Sequence, residues 1–393
     1  LSQEHEEMKA MADLLELRDK IDAIDKEVIR LFEERMEVSR QVADFKIQTG
    51  KPVFDQERER AKLQAIKEMA HTPFNATGAE ELFQQIMSMS RKLQYQLLTE
   101  HGIEEEKTYT MADTLPMKNV RVVFQGVEGA YSYAAMREFF KNGVESFHVR
   151  TWKDAMDEIA NGRADYGVLP IENSTAGIVA DIYDLLVDYD LYIAGEQIIK
   201  CEHALLGLPE ASMEDIQVVY SHPQALMQCK IFLEEHPQWD TRELGNTAVA
   251  ARKVMEEKNP AQGAIASKAA AEFFGLKVLK DKIYHNQHNS TRFIIVSSQQ
   301  VYHVKADKIS ICFELPHKSG TLYNMLSHFI YNGLNMTKIE SRPIPGRNWE
   351  YRFFIDFEGN LEESAVKNAL RGIRQEASQV RILGNYREST RQP

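Results

Sequence analysis

Asn289-Ser290-Thr291-Arg292-Phe293 sets an amide, two hydroxyls, a guanidinium and an aromatic ring immediately before an apolar run, Ile294-Ile295-Val296. Such a run reads as a buried strand. Taken alone, the polar residues are the punctuation of a strand start. Comparable polar turns recur earlier: Gln125 to Ser132, Glu172-Asn173-Ser174-Thr175, Ser221-His222-Pro223-Gln224 and Asn246-Thr247. Helix N-capping explains any one of them. Several together, at the ends of strand-like segments, read as the rim of a cleft, where helix N-termini favour a carboxylate. The chemistry open to such a rim is anion binding. No GxGxxG fingerprint or P-loop is present to suggest a nucleotide.

A second candidate is a charge out of place. From Asp13 to Thr49 the chain lacks Gly and Pro, and Leu14, Leu17, Ile21, Ile24, Val28 and Leu31, then Val38, Val42 and Phe45, follow a heptad seam. Arg35 occupies the seam between Leu31 and Val38. A guanidinium keeps its charge, so burial demands an anionic partner. That partner is either an acid such as Glu33, Glu34 or one on a partner helix, or a bound carboxylate. Arg18 and Lys46 lie near the ends of the same pattern, and Arg58 and Glu59 open the next. So long a helix with few companions cannot bury its seam alone, which implies a dimer.

The elements that must position these residues fall into three types. Asp13 with Glu16 reads as a capping box opening the long helix, and Gly50-Lys51-Pro52 ends it. Helices are expected from about Asp55 to Met69 and, with Glu80 completing a second box, from Thr77 to about Thr99. Residues 102–118 read as a charged linker. An α/β region of alternating strands and helices follows over 119–298, most simply two lobes with a cleft between them. After a polar spacer, residues 307–386 read as βαββαβ, a ferredoxin-like α+β order. The expected fold is therefore multidomain: a helical head over 8–101, the two-lobed α/β domain, and the α+β tail.

Composition narrows the function. A net charge of −12 argues against nucleic acid as the main partner. With no signal-like start and no membrane-length apolar run, the expected setting is the cytoplasm. Cys201, Cys229 and Cys312 are too far apart for a zinc signature, the histidines show no HExxH, and neither metal nor cofactor is expected.

The head resembles the small all-helical chorismate mutases over about residues 8–101. The match is carried by Leu17-Arg18-Asp19-Lys20-Ile21-Asp22-Ala23-Ile24-Asp25, Glu34-Arg35, Val42-Ala43-Asp44-Phe45-Lys46 and Pro52-Val53-Phe54-Asp55-Gln56-Glu57-Arg58-Glu59. The resemblance implies an intertwined homodimer in which Arg18 reaches the partner's site. It further implies that Arg18, Arg35 and Arg58 hold the carboxylates of chorismate, that Lys46 donates to the ether oxygen, and that Asp55 and Glu59 meet the hydroxyl. Ser90 and Gln94, four apart on one helix face, would complete the pocket. Conversion to prephenate is a unimolecular rearrangement, and a set of cations with an amide suits it.

The α/β region resembles prephenate dehydratase through Gly126 to Ser132, Pro170 to Ser174, Ser221 to Leu226, and Asn289 to Phe293. The resemblance implies two Rossmann-like lobes of the periplasmic-binding type. Prephenate would lie among Asn173, Ser174, Thr175, Ser221, Gln224, Thr247, Thr291, Arg292 and Phe293. Thr291 would donate to the leaving hydroxyl, or would orient it while water or Glu172 supplies the proton. Phe293 would pack beside the forming ring, and Arg292 would pair either with a substrate carboxylate or with a neighbouring acid.

The tail resembles the ACT regulatory domain through Gly320-Thr321-Leu322 and Glu340-Ser341-Arg342-Pro343. Thr321 stands where that family usually has Ala, a departure that bears on effector affinity. The implied effector is phenylalanine. Together the three resemblances imply a bifunctional enzyme of phenylalanine biosynthesis under feedback control. The rival is a non-catalytic amino-acid-responsive scaffold, which would have no use for Arg35 on a buried seam.

Overall fold

The computed structural model describes residues 2–103, 109–141, 143–286 and 288–389, with side chains from residue 13 onward. Residues 104–108 of the expected linker lie outside the described residues. The chain divides into two compact units, and the segment 307–386 contributes to both. One unit is Leu1–Glu106 with Lys318–Leu334 and Glu362–Ser378; the other is Lys107–His317 with Asn335–Leu361 and Gln379–Pro393.

The first unit is helical. Helix α1 runs Ser2–Thr49, α2 Gln56–Met69 and α3 Pro73–Glu100, and the tail adds helices Thr321–Tyr331 and Ser364–Glu376. Asp13 therefore lies inside α1 and opens nothing. No Gly or Pro interrupts residues 2–12 either, so nothing stops the helix at Asp13. Gly50, at φ +68°, ends it. The expected start of α3 at Thr77 also moves. Thr72 is the cap, accepting from the Asn75 amide at 3.2 Å, with Pro73 in the first turn where its missing N–H is harmless. Asp55 caps α2 by accepting from the Arg58 amide at 3.1 Å.

Ala43, Val53, Ile66, Met87 and Tyr95 are buried in this unit, whereas the α1 seam is open. Leu17, Ile24, Val38 and Phe45 are all more than half exposed.

The second unit holds three main sheets. A six-stranded sheet has the order Glu145–Val149, Arg121–Gln125, Tyr166–Asn173, Ser290–Ser297, Tyr192–Lys200, with the short strand Gly177–Ile178 beside Tyr166–Asn173. A five-stranded sheet has the order Lys277–Lys280, Ala204–Gly207, Gln262–Ala266, Val218–Ser221, Asp240–Glu243. The chain passes to the second lobe after Lys200 and returns at Ser290, so Ser290–Ser297 pairs antiparallel with first-lobe strands on both sides. Each lobe has its own apolar cluster, around Leu169, Ile182 and Ile294 in the first and around Leu206, Ala250 and Ala264 in the second. Within the expected spacer after Ser297, Val301–His303 pairs with Thr110–Ala112.

The third sheet is entirely antiparallel, in the order Met336–Pro343, Tyr351–Glu358, Lys308–Glu314, Gln379–Tyr386. It shares an apolar core with the first lobe: Cys312, Phe354, Leu383 and Tyr386 belong to the same cluster as Leu169 and Ile193. The approach is closest at Gly384, where a Cβ would collide with the carbonyl oxygen of Ile193.

No helix among the described residues is long and apolar enough to cross a membrane. The three cysteines are buried and free.

Candidate functional site

Side chains alternate across a strand, and this decides the fate of the Asn289–Phe293 stretch. Thr291 and Phe293 line a cavity of about 250 Å³, whereas Arg292 points to the opposite face of the sheet. Thr291 is paired in register with Asn173 on the neighbouring strand. Asn173 Nδ2 donates to Thr291 Oγ1 at 2.9 Å and to Asn289 Oδ1 at 2.8 Å, while its Oδ1 accepts from the amides of Thr175 and Ala176 at 3.0 and 2.9 Å. The Thr291 oxygen thus accepts from Asn173, and its own proton goes either to the Cys201 sulfur or to a ligand in the cavity. The Cys201 thiol lies 3.1 Å from it, and burial pushes that thiol up to about 11.

The amides continue as a chain. Asn289 Nδ2 donates to Gln228 Oε1 at 2.8 Å, and His203 Nε2 meets the same oxygen at 2.8 Å. An amide oxygen only accepts, so His203 carries its proton on Nε2. Its Nδ1 lies 3.0 Å from the Tyr131 hydroxyl, and burial lowers the pKa of the ring. His203 and Gln228 do not belong to the expected set. The only sequence signals were their places: His203 directly before a buried strand, and Gln228 two residues past the Ser221 to Leu226 motif.

Gln224 and Thr247 line the cavity as expected. Two helices of ten and eleven residues begin at its wall, Tyr131–Phe140 and Thr247–Glu257, the second capped by Asn246 accepting from Val249 at 2.7 Å. Helix starts present free N–H groups and partial positive charge, a setting for carboxylates. None of the lining residues is Asp, Glu, Lys or Arg.

Three expectations change here, and the open alternative for Arg292 is settled. Ser221 is fully buried and spends its hydroxyl on the Ile265 carbonyl at 2.6 Å, away from the cavity. Ser174 and Thr175 are exposed and outside the lining, Ser174 bonding the His288 carbonyl at 2.8 Å. Glu172, one residue from Asn173 along its strand, faces the other side of the sheet and pairs with Arg292 at 3.2 Å and with Lys338, so it supplies no proton to the cavity. Arg292 pairs with neighbouring acids: besides Glu172, Glu196 and Asp356 lie 3.1 Å from Nη1. Burial opposes its charge, but Asp356 and Glu196 outweigh that and raise its pKa.

Arg292 is therefore an anchor between the first lobe and the tail sheet. Arg292→Met, which leaves Glu172 to Lys338, Glu196 to Lys308 and Asp356 without an ion pair among the described residues, is expected to destabilise the unit by about 3 kcal/mol. Thermal melting should show the loss, while the folded protein keeps the chemistry of the cavity.

The helical unit gathers a second cluster. Arg35 donates to Ser90 Oγ and, at 3.4 Å, to the Ile86 carbonyl. Its sequence neighbour Glu34 pairs instead with Arg30 at 3.0 Å, and no ion pair to Arg35 occurs among the described residues. Burial lowers the Arg35 pKa, offset in part by Glu59. Lys46 donates to the Val53 carbonyl at 2.7 Å, and its pKa is lowered by burial and then by the charge of Arg58. Gln94 is buried, with Nε2 on the Ser90 carbonyl at 3.2 Å and Oε1 without a partner among the described residues. Asp55 and Arg58 are exposed, as is Arg18. Arg18 lies roughly 25 Å along α1 from Arg35 at 1.5 Å per residue, too far to share its site within one chain. Glu59 is held by Arg91, a buried cation absent from the expected set; its position directly after Ser90 was the only signal.

In the tail, Gly320 takes φ +80° at the start of the Thr321–Tyr331 helix, and Thr321 Oγ1 bonds the Lys318 carbonyl at 2.9 Å. Leu322 follows in the first turn of that helix. Along Met336–Pro343, Glu340 and Arg342 are half-buried while Ser341 and Pro343 are exposed. Arg342 is engaged by both oxygens of Asp184, at 3.1 and 2.6 Å.

Residues 122–301 match the family described as prephenate dehydratase, and residues 17–95 match chorismate mutase type II. The chain is 32% identical to a bifunctional chorismate mutase/prephenate dehydratase of Aquifex aeolicus, covering 96% of this chain and 98% of that one. It is 32% identical to the protein so named from Escherichia coli K12, covering 95% and 96%. Among solved structures, a prephenate dehydratase from Arthrobacter aurescens in complex with L-Phe matches with TM-score 0.64 and 30% identity, over 70% of this chain and 92% of that one. A protein described as a novel type of quorum-quenching acylase matches with TM-score 0.64 and 32% identity, over 69% and 100%.

Proposed function

This chain belongs to the bifunctional chorismate mutase/prephenate dehydratases, and from that premise we propose where each reaction takes place and how it is controlled. Rearrangement of chorismate belongs to the Arg35, Lys46, Ser90 and Gln94 cluster. Arg35 holds a carboxylate, Lys46 and the Gln94 amide face the ether oxygen as its charge grows, and Glu59 meets the hydroxyl. No proton or covalent bond to the protein is exchanged, so positioning and electrostatics carry the rate.

Prephenate is assigned to the Thr291 cavity, and the observation that carries this is the neutral, donor-rich lining around the one hydroxyl that Asn173 orients. Helix starts and side-chain amides hold the carboxylates. The bond to the departing carboxylate breaks, its electrons enter the ring, and the hydroxyl leaves as hydroxide. Thr291 donates a hydrogen bond to that leaving oxygen. With no carboxyl group in the lining, water supplies the proton that completes it. Phe293 packs beside the ring as it becomes aromatic.

Acyl transfer, the activity in the name of one structural relative, is less well supported at this cavity. A hydroxyl nucleophile needs an adjacent base, and Thr291 has Asn173 and a protonated Cys201 beside it.

The tail is read as an ACT regulatory segment, supported by its βαββαβ chain order and by the sheet order, which is that of a ferredoxin-like fold. Its effector is phenylalanine, bound through Gly320 to Leu322 and Glu340 to Pro343. The open apolar seam of α1 is assigned to a second copy of the chain, whose Arg18 would complete the mutase site.

One experiment tests the whole reading. Chorismate supplied to the protein should disappear, prephenate should pass through a transient, and phenylpyruvate should accumulate, more slowly with phenylalanine present. Chorismate loss without phenylpyruvate would remove the dehydratase assignment, and indifference to phenylalanine the effector assignment.

A further inference from the structure

The mutase cluster is tied to the far end of the chain. Arg91 Nη1 holds Glu59, while Nε and Nη2 of the same guanidinium reach Glu376 Oε1 at 3.0 and 2.9 Å. Only 8% of the Arg91 side chain and 11% of the Glu376 side chain is exposed. The guanidinium also lies 4.9 Å over the Phe54 ring. Next to Glu376, Gln375 Oε1 accepts from the Phe54 amide at 3.2 Å and from the Tyr95 hydroxyl at 2.8 Å. The end of the Ser364–Glu376 helix thus grips the Phe54–Glu59 segment twice. It holds the backbone just before the Asp55 cap and, through Arg91, the Glu59 carboxylate.

We propose that Arg91, Gln375 and Glu376 are positioning residues for the rearrangement of chorismate, a role that rests on the assignment of that reaction to the Arg35 cluster. A guanidinium fork bridging two carboxylates fixes the orientation of both, which a lone lysine could not do. Burying this cation and Glu376 is costly unless the geometry is satisfied, and here the satisfied geometry sets Glu59. Two further bonds keep the tail helices on α3: Thr99 Oγ1 donates to Asn368 at 2.6 Å, and Lys92 donates to Ser327 at 2.8 Å. The sequence puts these partners 285 residues apart for the ion pair and 280 for the tyrosine bond, so nothing local would signal them.

The test uses the full-length chain with Arg91→Gln, Glu376→Gln and the double variant, each compared with Arg35→Ala. Each single substitution should lower mutase kcat about tenfold with KM changed less than twofold, and prephenate turnover should stay at the parent rate. The double variant should be no slower than the worse single, because the two act as one unit. Glu376→Asp, which keeps the charge, should recover part of the loss. Circular dichroism and melting separate this from a purely structural role. Variants that melt earlier but keep the parent kcat well below their Tm would overturn the proposal, as would additive losses. Arg35→Ala losing mutase activity while Arg91→Gln and Glu376→Gln keep it would overturn the positioning role and leave the site assignment standing. Arg35→Ala retaining activity would overturn both.

Discussion

Arg35→Ala should cost chorismate rearrangement on the order of a thousandfold while turnover of added prephenate continues, since truncating one partner of a buried charge pair commonly costs 2–5 kcal/mol. The reason lies in what surrounds Arg35. No acid pairs with it among the described residues, and its donors rest on Ser90 and a carbonyl. A half-buried guanidinium with only neutral partners has a strong residual demand for an anion, which the proposed substrate carboxylate would meet. A structural ion pair would show the reverse: truncation would lower stability and spare the rate. Measuring both activities on one preparation distinguishes them, because the two clusters lie in different units. Arg35→Lys should recover little, since a single ammonium cannot reach Ser90 and grip a carboxylate as a fork does.

Thr291→Val should lower prephenate turnover by about a thousandfold, within the range expected for a positioned proton or hydrogen-bond donor, and leave the mutase rate alone. Valine keeps the branched shape, so the strand and its contacts survive; what goes is the oxygen that accepts from Asn173 and that is proposed to donate toward the leaving hydroxyl. Thr291→Ser should retain most activity. The alternative donor in reach is Cys201, held protonated by burial. If Thr291→Val stays active and Cys201→Ala does not, the thiol is the donor and the assignment changes. Substituting Glu172 should lower stability rather than change the chemistry, because its carboxylate belongs to the Arg292 and Lys338 pairs.

Local pattern made much of this legible. The seam of α1 is written in a repeat from Leu14 to Phe45, the strand runs and polar turns each within a dozen residues, and the cavity does bring Asn173, Gln224, Thr247, Thr291 and Phe293 together. Some departures share one cause, which is that sequence motifs are contiguous and sheet faces are not. Glu172 sits inside a motif but on the face away from the cavity, and Ser221 sits in a motif turned toward the sheet. His203 and Gln228 were invisible because a single His or Gln carries no spacing. The pairing of Arg91 with Glu376 leaves no local signal because the two lie 285 positions apart. The start of α1 was misplaced for a different reason: Asp and Glu three apart also occur freely inside charged helices.

Gly384 bears on how such proteins can be recombined. Because its missing side chain admits the carbonyl of Ile193, the tail sheet fits only a first lobe shaped to receive it. A chimera that exchanges the tail at residue 307 inherits one surface without the other. Its viable boundaries run through space, not along the gene: the graft must carry the Tyr192–Lys200 strand and the acids around Arg292 with it. Tail and first lobe are then inherited as a pair, and any response of the proposed effector segment should be traced through both.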